Sequence, residues 1–127
     1  MRLFALLMVA GCLLAFTPQK AKKADVQMVE IKVARDAGKI SVDGKVKVTG
    51  EKPLRGVVIV FDFRSPEKEV VTSQKTVINE ETVEPGHEGV FHNEMIDAPR
   101  AVTLTLRAFD AHEKELRISN AGPFAIE

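Results

Sequence analysis

From Val26 to Ile126, apolar and polar residues trade places at every second position, in short runs cut by glycine, proline, asparagine and aspartate. A period of two belongs to an extended strand with one face buried and the other wet, whereas a helix would repeat every 3.6 residues. Short alternating runs between turn residues therefore predict an all-β domain and leave no segment that reads as a helix.

The runs can be placed one by one. Val29, Ile31 and Val33 alternate with Glu30 and Lys32, which predicts an apolar face on those three residues, and Asp36-Ala37-Gly38 then turns the chain. Ile40, Val42, Gly44, Val46 and Val48 share one parity, and Ser41, Asp43, Lys45 and Lys47 the other. Asp43-Gly44 is also the dipeptide of a two-residue hairpin. Such a turn would set Val42 against Lys45 and Ile40 against Lys47, so one unbroken strand is the reading that keeps its faces unmixed. Gly56 to Phe63 is apolar on both parities, as expected of a central strand covered on both faces. Residues 69–77 alternate weakly and predict an edge strand. Further strands are expected around Val90–Met95, along Val102, Leu104, Leu106 and Ala108, at Leu116 and Ile118, and at Phe124 and Ile126. The sum is an immunoglobulin-like antiparallel β-sandwich of about seven strands over residues 25–127. Val60-Phe61-Asp62 leading to Lys68-Glu69-Val70 is echoed by Ala108-Phe109-Asp110 leading to Lys114-Glu115-Leu116, which suggests shared turn chemistry.

Ahead of this domain, Arg2 opens an uncharged apolar run from Leu3 to Phe16 that ends at Thr17-Pro18-Gln19-Lys20. A charged start, an apolar middle and a polar end predict a signal peptide over residues 1–24 and export to the periplasm or exterior. The run is shorter than the roughly 20 residues needed to span a bilayer as a helix. Cys12 is the sole cysteine. Val9-Ala10-Gly11-Cys12 resembles the lipobox of bacterial lipoproteins, so a lipid anchor on Cys12 is the alternative to a small apolar residue inside the signal, and only that anchor would bring the membrane in as a partner. The remaining chain has no thiol for a disulfide or a cysteine-ligated zinc. Without residues 1–24 the chain carries 14 basic against 18 acidic side chains, a balance that predicts no nucleic-acid partner.

The order of Val42-Asp43-Gly44-Lys45-Val46, Leu54 to Asp62, Val83-Glu84-Pro85-Gly86 and Phe109-Asp110 resembles that of bacterial exported immunoglobulin-like domains, among them those called FxLYD domains, over residues 40–116. The resemblance implies a non-catalytic envelope module and supplies no catalytic, cofactor-binding or metal-binding residues.

Candidate chemistry is sparse. His87 and His92 are five apart rather than the four of a helical zinc-protease motif, and Pro85, Gly86 and Gly89 oppose a helix. Glu88, His92 and Met95 with His112 compose a candidate copper site, since imidazole and thioether suit that metal. Glu80, Glu81, Glu84 and Glu88 lack the spacing of a calcium loop. Ser41, Ser65, Ser73 and Ser119 have no glycine elbow. Trp and Tyr are absent, which removes the rings on which sugars usually stack. The expectation is a module without catalytic, cofactor or metal residues that binds another envelope or extracellular protein, with the edge at 69–77 as its contact. Copper binding through His92 and Met95 is the alternative.

Overall fold

The computed structural model describes residues 24–126, and apart from Ala24 the expected signal segment, with Cys12, lies outside them. The described chain forms eleven strands: β1 Val26–Asp36, β2 Lys39–Val48, β3 Leu54–Arg55, β4 Val58–Arg64, β5 Val70–Val77, β6 Thr82–Val83, β7 Glu88–Ile96, β8 Thr103–Phe109, β9 Glu115–Leu116, β10 Ile118–Ser119 and β11 Phe124–Ala125. One sheet runs β10-β1-β2-β7 and the other β11-β8-β4-β5, with β9 also paired to β8 and a small β3-β6 ribbon at one end. The two main sheets face each other across one apolar core, so the all-β sandwich is as expected. The strand count exceeds seven because of five two-residue strands, β3 and β6 in the small ribbon and β9, β10 and β11 after β8, and one of those, β10, lies parallel to β1.

Ile40, Val42, Val46 and Val48 are all buried while their neighbours point out, and β2 runs unbroken through Asp43 and Gly44 between β1 and β7. Gly44 lies opposite Phe91 of β7, whose ring occupies the space a side chain on Gly44 would need. That ring in turn meets Phe61 of the facing sheet at 5.6 Å between centroids, so the glycine lets the aromatic contact form between the layers.

Two expectations about faces need correcting. Val29 is 45% exposed, because a bulge between Met28 and Glu30 shifts the phase of β1, and Val26, Met28 and Val33 fill the core instead. In β4 the inner residues Ile59, Phe61 and Phe63 are fully buried, but Val58 and Val60 on the outer face are only half covered, since among the described residues no third layer lies over this sheet.

The sequence echo does mark twin turns, offset from the shared tripeptides. In Ser65–Glu69 and in Asp110–Lys114 the fourth residue, Lys68 or Glu113, has a positive φ of 71° or 62°. It donates its N–H to the first residue's carbonyl at 2.8 or 3.0 Å, and the first residue's side-chain oxygen accepts the N–H of the fifth. Ser65 thus corresponds to Asp110, both being short side chains able to bond their own turn.

Candidate functional site

A sandwich of open sheets has edges, and an edge strand presents unpaired backbone groups. The five-stranded sheet ends in β5 and the four-stranded sheet in β7, and β1 also has an open side beyond Gln27, since the two-residue β10 covers only Val26 and Gln27. Their surroundings differ. The chain leaving β5 covers part of β7: Asn79 N–H donates to the Val90 carbonyl at 2.8 Å, Val90 N–H donates to Glu80 Oε1 at 2.8 Å, and Thr76 Oγ1 donates to the His92 carbonyl at 3.2 Å. Among the described residues β5 pairs only with β4.

Five of the eight residues of β5 are Val or Thr at its two ends, which favours an extended backbone. Ile78 N–H donates to the Val57 carbonyl at 3.0 Å. Because antiparallel pairs alternate in this respect, Thr76, Gln74 and Thr72 turn their backbone groups towards β4, and Val77, Lys75 and Ser73 turn theirs outward. The register skips Val71, between Thr72 opposite Phe63 and Val70 opposite Arg64, and this bulge ends the regular edge. Thr72, Gln74 and Thr76 lie half-buried at the rim of the core, while Ser73, Lys75 and Val77 are exposed on the outer face. Val77 is 56% exposed.

Beside this edge the outer face carries a polar clasp. Asp62, 5% exposed, accepts the Ser73 hydroxyl at 2.7 Å and Arg107 Nε and Nη2 at 2.8 and 3.1 Å. Burial pushes the Asp62 carboxyl up, but the bonds from Arg107 and Ser73 and the charges of Arg107 and Arg64 outweigh it and hold the group below the usual carboxylate range. Arg107 also lies 5.8 Å above the Phe109 ring. The clasp ties β5 to β4 and β8 and holds the edge strand flat on its sheet.

The residues expected for copper do not come together. Alternation along β7 puts Glu88 and His92 on the outer face, and Met95 on the inner face against the core. His112 lies in the turn after β8, with its N–H on Asp110 Oδ1 at 2.8 Å. His92 is engaged by carboxylates instead: Nδ1 lies 2.5 Å from Asp43 Oδ1 on the adjoining strand and Nε2 3.4 Å from Glu94 Oε2. The Asp43 hydrogen bond raises the imidazole above its ordinary 6.5 against the opposing effect of burial, and the charge of Asp43 and the bond to Glu94 add to the rise. His87 sits in a turn, its N–H bonded to the Glu84 carbonyl at 3.0 Å. Of the acidic group, Glu80 caps Val90 and Glu81 reaches Arg55 at 3.5 Å. Among the described residues no group of three or more His, Cys, Asp or Glu side chains is placed to hold a metal ion.

The edge was legible in residues 69–77, but the clasp was not read from the sequence. Its signal was a lone aspartate between Phe61 and Phe63 in the most apolar run of the domain.

No family model matches this chain, and no curated protein sequence does. Among solved structures it is similar to a β-glucuronidase of Bacteroides uniformis, at 14% identity and a TM-score of 0.54, over 74% of this chain and 14% of that one. It is also similar to the C-terminal domain of wzt, at 10% identity and a TM-score of 0.52, over 80% of this chain and 78% of that domain. The chain thus spans a small fraction of the first and most of the second. At these identities the likeness is one of fold alone.

Proposed function

We propose that this chain is an exported, non-catalytic β-sandwich module of the bacterial envelope or exterior that acts by binding another protein chain, with β5 as its contact. The observation that carries the reading is the free side of β5, where Ser73, Lys75 and Val77 turn backbone groups outward from a strand with no proline and one charge. Natural sheets usually blunt such an edge with charges, prolines or a covering loop. An edge left open over this length supports strand addition, in which main-chain hydrogen bonds give affinity and alternate side chains give selectivity. The apolar run Leu3–Phe16 and the resemblance to FxLYD domains support the envelope setting.

Hydrogen exchange on the complex recovered from envelope extracts tests the contact. The amides of Ser73, Lys75 and Val77 should exchange more slowly in the complex than in the free protein, and Lys75→Pro should abolish capture while leaving the fold intact, because proline is tolerated on an edge whose N–H faces solvent. Unchanged exchange at these three amides, with protection on another face, would refute the reading.

A further inference from the structure

We infer that the strand received by β5 is β5 of a second copy of this chain, paired antiparallel about a two-fold axis at Gln74. This rests on β5 being the contact, and it goes further by naming the occupant.

A two-fold interface must be complementary to itself: wherever one residue meets a second, that second meets the first. The sequence of β5 has this property. Read outward from Gln74, it carries Ser73 and Lys75, then Thr72 and Thr76, then Val71 and Val77. Antiparallel pairing centred on Gln74 sets Thr72 against Thr76 and Val71 against Val77, which are like with like, and Ser73 against Lys75, a hydroxyl against the strand's one charge. Cross-strand Thr–Thr pairs and matched β-branched pairs are among the favourable ones.

Backbone geometry agrees with the same register. Ser73 and Lys75 both turn their N–H and C=O groups outward, so each can exchange two hydrogen bonds with the other's copy. Gln74 at the axis faces β4 with its backbone, so it forms the closer, non-hydrogen-bonded pair, in which the two half-buried amide side chains lie side by side.

The neighbouring registers are worse for a physical reason. Centring on Lys75 opposes two ammonium groups, and centring on Ser73 sets Lys75 against Val71. Charge rules out the first of these, and the unmatched Lys75–Val71 pair disfavours the second.

The Val71 bulge limits regular pairing to Thr72–Thr76, a span of about 17 Å. That is a smaller contact than the roughly 800 Å² per partner of a standard stable interface. The dimer should accordingly be weak, with a dissociation constant in the micromolar range or above.

Sedimentation of the purified protein between about 10 µM and about 1 mM should show a reversible monomer–dimer equilibrium. Ser73→Lys places lysine opposite lysine twice by symmetry and should weaken the dimer by about tenfold or more. Adding Lys75→Glu to Ser73→Lys turns both contacts into opposite-charge pairs and should restore dimerisation. The single and double variants both lose the Ser73 hydroxyl, so restoration cannot come from its bond to Asp62. Circular dichroism of each variant checks that the fold is kept. A protein that stays monomeric over the whole range, or a folded double variant that stays as weak as the single one, overturns the self-pairing. Protection of Ser73, Lys75 and Val77 in a complex with a different protein would overturn self-pairing too, while keeping β5 as a contact.

Discussion

Substituting Gly44 by alanine should destabilise the protein, although a longer side chain in mid-strand is usually welcome. Two effects favour the alanine: a buried methyl contributes about 0.8 kcal/mol, and relief from the conformational freedom of glycine about 0.5–1 kcal/mol. Against them stands the ring of Phe91. A Cβ built on Gly44 would lie 2.8 Å from Phe91 Cε2, closer still to Cζ, and 3.0 Å from the Glu30 carbonyl oxygen. Carbon atoms settle at about 3.5–4.0 Å, so the ring must withdraw by about 1 Å. Phe91 is fully buried and packs on Phe61, with no solvent to retreat into. Overpacking a filled core costs about 1–3 kcal/mol and sometimes more, and a displacement of this size belongs at the upper end. The net loss should be about 1.5 kcal/mol, or roughly 8 °C in Tm for a domain of this length. Thermal and urea unfolding followed by circular dichroism measure it. In a Phe91→Leu background the same substitution should cost about 1 kcal/mol less, because the two residues share the space. A Gly44→Ala protein as stable as the parent, or an equal cost in both backgrounds, would refute the packing argument.

Ala37 has φ +52° and precedes Gly38 at +77°, a two-residue hairpin turn that favours Asn-Gly; Ala37→Asn should raise stability by about 0.5–1 kcal/mol, read from the urea midpoint, and no gain would mean the turn is unstrained. The folded protein holds the Asp62 carboxyl below its ordinary 3.8, so the stabilisation it gives is complete above that value and disappears as pH falls through the lower folded one. Acid unfolding of Asp62→Asn should lack this step, and identical profiles for the two proteins would exclude the clasp as its source. His92 is raised above 6.5, chiefly by Asp43, so its contribution is present below 6.5 and lost as pH rises through the higher folded value. Its NMR titration midpoint should lie above 6.5 and drop in Asp43→Asn, and an unmoved midpoint would rule out Asp43 as the cause.

Much of the fold follows from alternation alone. In β2 the continuous strand through Asp43-Gly44 keeps valines from facing lysines where a hairpin would not, and the fold follows it, because a one-residue error in pairing moves every side chain to the wrong face. The same rule failed at Val29, since a bulge inserts one residue and inverts the parity, and bulges have no sequence signature as firm as the alternation itself. The candidate site divided in the same way. Weak alternation in residues 69–77 marked an edge, whereas the companions of His92 depended on which strand lay beside β7. Sequence proximity suggested Met95, and the register supplied Asp43, 49 residues away.

The sequence by itself determined that the chain is extended, where it turns, and which side of each regular strand is apolar, because these depend on residues adjacent along the backbone. Tertiary structure alone decided that β10 lies parallel to β1, that Asp62 is clasped by Ser73 and Arg107, and that Phe91 needs a glycine across from it. Each of these is a relation between strands, and strand order and register are set by how two whole faces pack, information that no single run of residues carries.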